Sequence, residues 1–165
     1  MPNSDCPSGT FSNFDNNLCV TTCPADTYYM EGSRPNCTER CPQNFYGSPI
    51  DKKCKEGNLC PTSPIRYYAD DTSNLCVEKC PTGYYSDTTT NRCLVFCSSG
   101  YFADDTSGTG RCVQNCPDEY FRDNSTRSCL RKCPKGSYIN EQSGNCTDQC
   151  SSPYYGDNST GKCEE

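Results

Sequence analysis

Cysteine is the residue type that could do chemistry in this sequence, because it is both abundant and regularly spaced. The chain has 18 cysteines and no histidine among its 165 residues. Loops of 12 to 15 residues alternate with short steps, mostly Cys-x3-Cys, whereas zinc is held by four closely spaced ligands that often include histidine. We therefore expect disulfides, with no metal and no other cofactor. The disulfide cysteines are Cys6, Cys19, Cys23, Cys37, Cys41, Cys54, Cys60, Cys76, Cys80, Cys93, Cys97, Cys112, Cys116, Cys129, Cys133, Cys146, Cys150 and Cys163.

This density of cysteine also predicts a cellular compartment. In a reducing cytosol the thiols would stay unpaired and the chain would lose its covalent support, so we expect an extracellular or cell-surface location. No stretch is apolar enough to span a membrane, so we expect no membrane insertion by this segment. Residues 1–5 contain no signal-peptide core, which predicts a mature or excised piece of a secreted chain.

Hydrophobic residues are too few to build an ordinary core. Leu, Ile, Val and Phe together make up only 18 of the 165 residues, well below the roughly 20% that folded domains usually contain. Covalent bridges must replace the missing core, as they do in other small secreted scaffolds. The predicted fold class is therefore small and disulfide-rich.

A repeated unit organises the cysteines. The chain contains nine units, and seven of these begin with Cys-Pro. In eight of the nine, an aromatic residue follows five positions after the first cysteine. A run of Asp, Asn, Ser and Thr then separates this aromatic segment from a second segment that often ends in Cys-Val or Cys-Leu, which predicts a small β-hairpin. We expect an elongated tandem array of short hairpins with little hydrophobic core, whose units begin at Cys6, Cys23, Cys41, Cys60, Cys80, Cys97, Cys116, Cys133 and Cys150.

Loop lengths indicate a second period. The odd-numbered units have 12 residues between their cysteines, whereas units two, four, six and eight have 13, 15, 14 and 12. Four-cysteine modules would account for this alternation, pairing within each unit is the alternative, and loop-closure entropies differ too little to decide. A disulfide between Cys6 and Cys19 would show pairing within a unit and would exclude the four-cysteine modules. The predicted domains are an N-terminal lead 1–5, modules 6–37, 41–76, 80–112 and 116–146, and a half module 150–163, all in one continuous rod.

Two segments, residues 19–25 and 76–83, carry the pattern Cys-Val-x-x-Cys-Pro. They resemble furin-like, growth-factor-receptor-type cysteine-rich repeats, and the whole chain is similar to the tandem cysteine-rich surface proteins of ciliates and other protists. The resemblance implies an extracellular rod with bridges first-to-third and second-to-fourth in each module, which would join Cys6 to Cys23. Cys150 and Cys163 would then form half a module, paired with each other or with cysteines outside this segment.

Carboxylates are the remaining groups that could act in catalysis, since histidine is absent and the thiols are expected to be oxidised. They fall in the expected hairpin turns, so we expect a turn role for them and no enzymatic activity. Calcium binding is the alternative, although their spacing matches no defined calcium loop. The residues concerned are Asp70, Asp71, Asp104, Asp105 and Asp157.

Four Asn-x-Ser/Thr sequons predict N-linked glycans, at Asn36, Asn124, Asn145 and Asn158. Asn124 and Asn158 occupy the same place in units seven and nine, 34 residues apart, and are the favoured pair.

Adjacent aromatic residues in several units point to opposite sides of a strand. We expect one of each pair to pack on a disulfide or on the next hairpin. An exposed row of the others would form a lateral contact with another subunit or with a sugar. The pairs are Tyr84-Tyr85, Tyr101-Phe102, Tyr120-Phe121 and Tyr154-Tyr155.

The net charge of the chain is −6, which argues against nucleic acid as a partner.

The ninth unit is as regular as the internal ones, whereas repeat arrays usually end in atypical capping units. We therefore expect self-association, head-to-tail or lateral, and predict an extracellular structural protein, a rod-like spacer or filament subunit. The alternative is a ligand-binding or adhesive ectodomain of a receptor-like surface protein, with a protein or glycan ligand. It predicts one irregular unit, and the insertion at 63–66 together with Lys52, Lys53 and Lys55 is the basic, irregular stretch.

Overall fold

The computed structural model describes residues 6–13, 16, 18–30, 35–57, 59–106, 108 and 110–165, and the lead 1–5 lies outside these ranges. The described residues form strands of three residues each and no helix. The strands are β1 Phe11–Asn13, β2 Leu18–Val20, β3 Tyr28–Met30, β4 Asn36–Thr38, β5 Phe45–Gly47, β6 Cys54–Glu56, β7 Tyr68–Asp70, β8 Leu75–Val77, β9 Tyr85–Asp87, β10 Arg92–Leu94, β11 Phe102–Asp104, β12 Arg111–Val113, β13 Phe121–Asp123, β14 Ser128–Leu130, β15 Tyr138–Asn140, β16 Asn145–Thr147, β17 Tyr155–Asp157 and β18 Lys162–Glu164.

Consecutive strands form antiparallel hairpins. In the seventh unit Phe121 lies opposite Leu130, Arg122 opposite Cys129 and Asp123 opposite Ser128. In this hairpin the aromatic residue begins the first strand, a carboxylate ends it, and the second cysteine lies at the centre of the second strand. The expected fold class, a tandem array of short disulfide-stapled hairpins with little hydrophobic core, is confirmed.

The disulfides close each hairpin within its own unit. Cys6 is bonded to Cys19, so the interlocked pairing that the resemblance implied is wrong, and the bridges that would have defined four-cysteine modules are not formed. Cys150 and Cys163, the expected half module, pair with each other. The remaining bridges are Cys23–Cys37, Cys41–Cys54, Cys60–Cys76, Cys80–Cys93, Cys97–Cys112, Cys116–Cys129 and Cys133–Cys146.

Hairpin geometry explains this pairing. A tight turn after each unit's first cysteine, such as the hydrogen bond from the Thr10 N–H to the Pro7 carbonyl at 3.0 Å, brings that cysteine beside the second strand. The Cα–Cα distance is 5.6 Å for Cys6–Cys19 and 5.5 Å for Cys60–Cys76, both within the range that a disulfide spans. The longer even loops are therefore closed inside their own hairpins. In the fourth unit the extra residues precede β7, so they do not change the bridge.

The chain divides into two compact units, Met1–Cys80 with Thr90–Cys93, and Pro81–Thr89 with Leu94–Glu165. Within each unit, a hairpin joins the next through one parallel bridge. This bridge connects the first strand of one hairpin with the residue that precedes the second cysteine of the following hairpin. In the first compact unit the pairs are Ser12–Asn36, Tyr29–Lys53, Gly47–Leu75 and Ala69–Arg92. In the second compact unit they are Ser86–Arg111, Ala103–Ser128, Arg122–Asn145 and Ile139–Lys162.

A residue with positive φ supports most of these bridges. The N–H of Ala69 donates to the carbonyl of Asn91 at 3.0 Å, and the N–H of Arg122 donates to the carbonyl of Gly144 at 2.9 Å. The accepting residue is two positions before the cysteine and adopts the left-handed conformation that Gly and Asn tolerate best. The residues that play this part are Lys52, Asn74, Asn91, Gly110, Arg127, Gly144 and Gly161.

Two small clusters stand in for a core. In the first compact unit Tyr46, only 1% exposed, packs with Ala69 and the Cys60–Cys76 bridge. In the second compact unit Ala103 packs with the Cys97–Cys112 bridge, and Tyr85 and Tyr101 cover this bridge. Aromatic packing on disulfides and on the next hairpin is thus confirmed at these places. Within the four predicted aromatic pairs only Tyr155 is exposed, so these pairs present no row of exposed tyrosines.

Candidate functional site

Most of the aspartates that end first strands are buried in the hairpin turns: Asp70, Asp87, Asp104 and Asp123 are buried, whereas Asp157 is partly exposed. Asp104 is fully buried, and its carboxylate accepts hydrogen bonds from the Thr106 N–H at 3.0 Å and from the Thr106 hydroxyl at 2.7 Å. Arg111 donates to the same carboxylate at 3.2 Å. Asp123 is held in the same way by Ser125 and Thr126. Among the predicted carboxylates, turn donors thus engage Asp70, Asp104 and Asp157, and Asp105 is exposed.

Hydrogen bonding keeps these carboxylates ionised. Burial by itself raises the pKa of Asp104, but hydrogen bonds from Thr106 and Arg111 and the positive charge of Arg111 outweigh it and lower the pKa below its ordinary value. The pKa values of Asp87 and Asp123 are lowered for the same reason, with Ser98 and Thr89 as the donors to Asp87. The described residues include no group of three or more acidic or cysteine side chains that could hold a metal ion.

We expect these turns to make the fold sensitive to acid. Because the folded-state pKa values are depressed, their stabilising contribution is present above the unfolded-state values and is lost as the pH falls through the folded-state values. Stability should therefore be level near neutral pH and fall below about pH 4. Thermal melting between pH 7 and pH 2 measures this. The variant Asp104→Asn should weaken the acid dependence of the second unit, whereas Asp118→Asn, at an exposed carboxylate, should leave it unchanged.

A hydrogen-bonded triad connects the third, fourth and fifth hairpins within the first compact unit. The Tyr46 hydroxyl donates to the Asp71 carboxylate, and Arg92 donates to the Tyr46 hydroxyl at 2.7 Å and to the Asp71 carboxylate at 2.6 Å. The Arg92 guanidinium also lies 5.3 Å from the centre of the Tyr46 ring. Burial, together with the hydrogen bond to Asp71, raises the pKa of Tyr46. Asp71, predicted as a turn residue, thus also joins its hairpin to both neighbours.

The four predicted sequons fall into two structural classes. Asn36 and Asn145 are half-buried in β4 and β16, where they form the parallel bridges to the preceding hairpins. Asn124 and Asn158 are exposed and follow the turn aspartates of the seventh and ninth hairpins. The Asn158 side-chain oxygen accepts a hydrogen bond from the Tyr138 hydroxyl at 2.9 Å, which leaves its nitrogen available. The favoured pair is therefore the exposed pair, and occupancy stays a prediction.

The basic, irregular stretch is largely engaged within the chain. Lys55 forms an ion pair with Asp51 at 2.5 Å, and the Lys52 ammonium lies 5.6 Å from the centre of the Tyr28 ring. The Lys52 carbonyl accepts the N–H of Tyr29 at 2.8 Å, so this lysine supports a bridge between hairpins. These contacts give the stretch a structural role. A ligand for it stays a prediction.

Two surface features were not found from the sequence. Val95 and Phe96 are 50% and 71% exposed, at the two connector positions where the other Cys-x3-Cys steps carry polar residues. A polar cleft lies at the turn of the eighth hairpin, where residues 140–143 face Ser151, Ser152 and Tyr154. A signal for the cleft was present, since the ninth unit is one of two that begin with Cys-Ser in place of Cys-Pro.

No model of a protein family matches this sequence, and comparison with curated proteins yields no significant match. The resemblance to furin-like repeats therefore stays a prediction. Across the described residues, no helix is long and apolar enough to cross a membrane. The nine disulfides indicate that the chain folds in an oxidising environment.

Proposed function

We propose that the chain is an extracellular structural protein, a rod-like spacer or self-associating filament subunit built from disulfide-stapled hairpins. The observation that carries this proposal is the uniformity of the contact between successive hairpins. A first-strand N–H donates to a left-handed residue of the next hairpin, and the bridge between them is parallel, in both compact units. One side of a hairpin is therefore complementary to the other side of any similar hairpin, which is the property of an interface that propagates.

Side-chain packing supports the same conclusion. The aromatic residue that begins a first strand packs against the next hairpin, as Tyr28 does on Gly47, where an added Cβ would lie 2.7 Å from the ring. Tyr138 packs against Gly156 in the same manner. Tyr155 is the corresponding residue of β17 and is 58% exposed. The proposal assigns it to contact with a further hairpin.

A non-enzymatic role belongs to the proposal, because the carboxylates that end first strands serve as hydrogen-bond acceptors for their own loops, at Asp70, Asp87, Asp104, Asp123 and Asp157. Every described cysteine is oxidised, so none is a free nucleophile.

Electron microscopy and analytical ultracentrifugation of the oxidised chain test this function. We expect rods or fibres whose mass increases with protein concentration. Tyr155→Lys should reduce association, because a charge on an edge strand opposes strand addition. Phe96→Lys places the same charge at an exposed aromatic outside the strands and should leave association intact. Isolated compact particles of the unaltered chain at all concentrations would overturn the proposal.

A further inference from the structure

The polar cleft in the second compact unit has the dimensions of a small-molecule site. It is lined by residues 140–143, Ser151, Ser152, Tyr154 and Cys163, and its volume is about 540 Å³. This volume lies within the range of about 300 to 1,000 Å³ that ligand pockets occupy. The cleft lies between the turn of the eighth hairpin and the start of the ninth unit, so both walls belong to rigid, disulfide-closed hairpins.

Two departures from the repeat accompany the cleft. The first strands of this compact unit otherwise end in aspartate, at Asp87, Asp104, Asp123 and Asp157, but the eighth hairpin ends its first strand with Asn140. The ninth unit also begins with Cys-Ser in place of Cys-Pro.

The sixth unit makes the same Pro-to-Ser change with a different result. There the Ser98 N–H donates to the Asp87 carboxylate at 3.2 Å, and the Ser98 hydroxyl donates to it as well. Among the residues described at the eighth and ninth hairpins, Ser151 makes no such bond to Asn140. The turn of the eighth hairpin is therefore not hydrogen-bonded to Ser151 across the cleft, in contrast to the Asp87–Ser98 contact of the fifth and sixth hairpins.

Charge at the cleft excludes most classes of ligand. Glu141 is its only carboxylate, and that carboxylate is paired with the Lys162 ammonium at 2.5 Å. Calcium needs six to eight oxygen ligands, usually with several carboxylates, which this lining does not supply. An anion would find no guanidinium or ammonium in the lining to bind it, and the nearby Lys162 ammonium is engaged by Glu141. An apolar molecule would remove water from amides and hydroxyls without replacing their hydrogen bonds.

The remaining class is a neutral molecule that carries many hydroxyl groups. Serine hydroxyls and Asn and Gln amides both donate and accept, which matches sugar hydroxyls that do the same. Tyr154 adds a flat ring for the C–H face of a pyranose, and its hydroxyl accepts a hydrogen bond from the Gln142 amide at 2.8 Å, which fixes the ring. We propose that the polar cleft binds a neutral glycan, with Gln142 and Tyr154 as the main contacts.

A glycan array with the oxidised full chain tests this inference. The array carries two groups of oligosaccharides. The first group is neutral and ends in hexose or N-acetylhexosamine, and the second group, called the charged arms, is sialylated or sulfated. We expect saturable binding to neutral members, measured by calorimetry with the best of them, and at least tenfold weaker binding for Gln142→Ala and for Tyr154→Ala. Tyr120→Ala is the matched control, because Tyr120 is the equivalent residue of the seventh unit and packs under Arg131 instead.

Three outcomes would overturn the inference: no neutral glycan bound, binding confined to the charged arms, or unchanged affinity in both cleft variants. Hydrogen exchange of β15 to β18 in each variant shows whether its hairpins remain folded. Ser152→Ala offers a smaller change at the same lining, expected to weaken binding severalfold. The association assay runs on the same variants, so loss of glycan binding with intact association separates this site from the proposed structural function.

Discussion

Removing the Cys97–Cys112 bridge by Cys97→Ala with Cys112→Ala is expected to destabilise the second compact unit by about 3 kcal/mol from loop entropy alone. Both cysteines are buried against Ala103 and are covered by Tyr85 and Tyr101, so lost packing should add about 1 kcal/mol or more. Because repeat units unfold partly independently, hydrogen exchange of β11 and β12 is a better measurement than a single melting temperature.

The matched control is Cys150→Ala with Cys163→Ala. That bridge closes a similar loop, with a sequence separation of 13 against 15, but its cysteines are only half-buried. This control variant should lose the stability that comes from loop entropy but not the stability that comes from packing. Equal losses of stability in the two variants would therefore contradict a packing contribution from the cluster around Ala103.

Free-thiol titration of the Cys97/Cys112 variant also tests the connectivity. Pairing within hairpins leaves no free thiol, whereas interlocked pairing would leave Cys80 and Cys93 without partners. Detection of those two thiols in folded protein would contradict the observed pairing.

Tyr46→Ala is expected to be the most damaging single substitution in the first compact unit, with a loss of about 3 to 5 kcal/mol. The Tyr46 ring is 1% exposed and fills the space between Ala69 and the Cys60–Cys76 bridge, so its removal leaves a cavity that rigid hairpins close poorly. Urea denaturation, followed by hydrogen exchange of β5, β7 and β8, measures the loss.

Tyr46→Phe separates the ring from its hydroxyl. Asp71 and Arg92 are paired with each other at 2.6 Å and remain so, hence this variant should lose only about 1 kcal/mol. Tyr155→Ala, at an exposed tyrosine, should change stability by less than about 0.5 kcal/mol. If Tyr46→Phe costs as much as Tyr46→Ala, the triad and not the buried ring would be the main source of stability.

Connectivity is the clearest case in which the sequence was insufficient. The two candidate pairings close loops whose entropies differ by only a few tenths of a kcal/mol, so spacing carries almost no energetic information about them. In the fourth unit, which has the longest loop, the extra residues lie between Cys60 and β7, so the added length is local to one hairpin.

The candidate sites show a similar division. The turn positions of Asp70, Asp104 and Asp157 followed from residue type, since Asp favours turns and can accept from nearby N–H groups. The burial of Asp70 and Asp104 did not follow, because it depends on how neighbouring hairpins pack around each turn. The polar cleft likewise brings together Asn140 and Ser151, two residues of successive hairpins that lie 11 positions apart in the sequence.

The regular cysteines, the aromatic residue five positions after the first cysteine of eight units, and the turn runs were enough to determine stapled hairpins in tandem, because these signals act within about 15 residues. Tertiary structure alone decided which cysteines meet, how one hairpin joins the next through a left-handed residue such as Asn91, and where a cleft remains open. The physical reason is that these features depend on the relative placement of neighbouring hairpins. A local pattern in the sequence does not specify that placement.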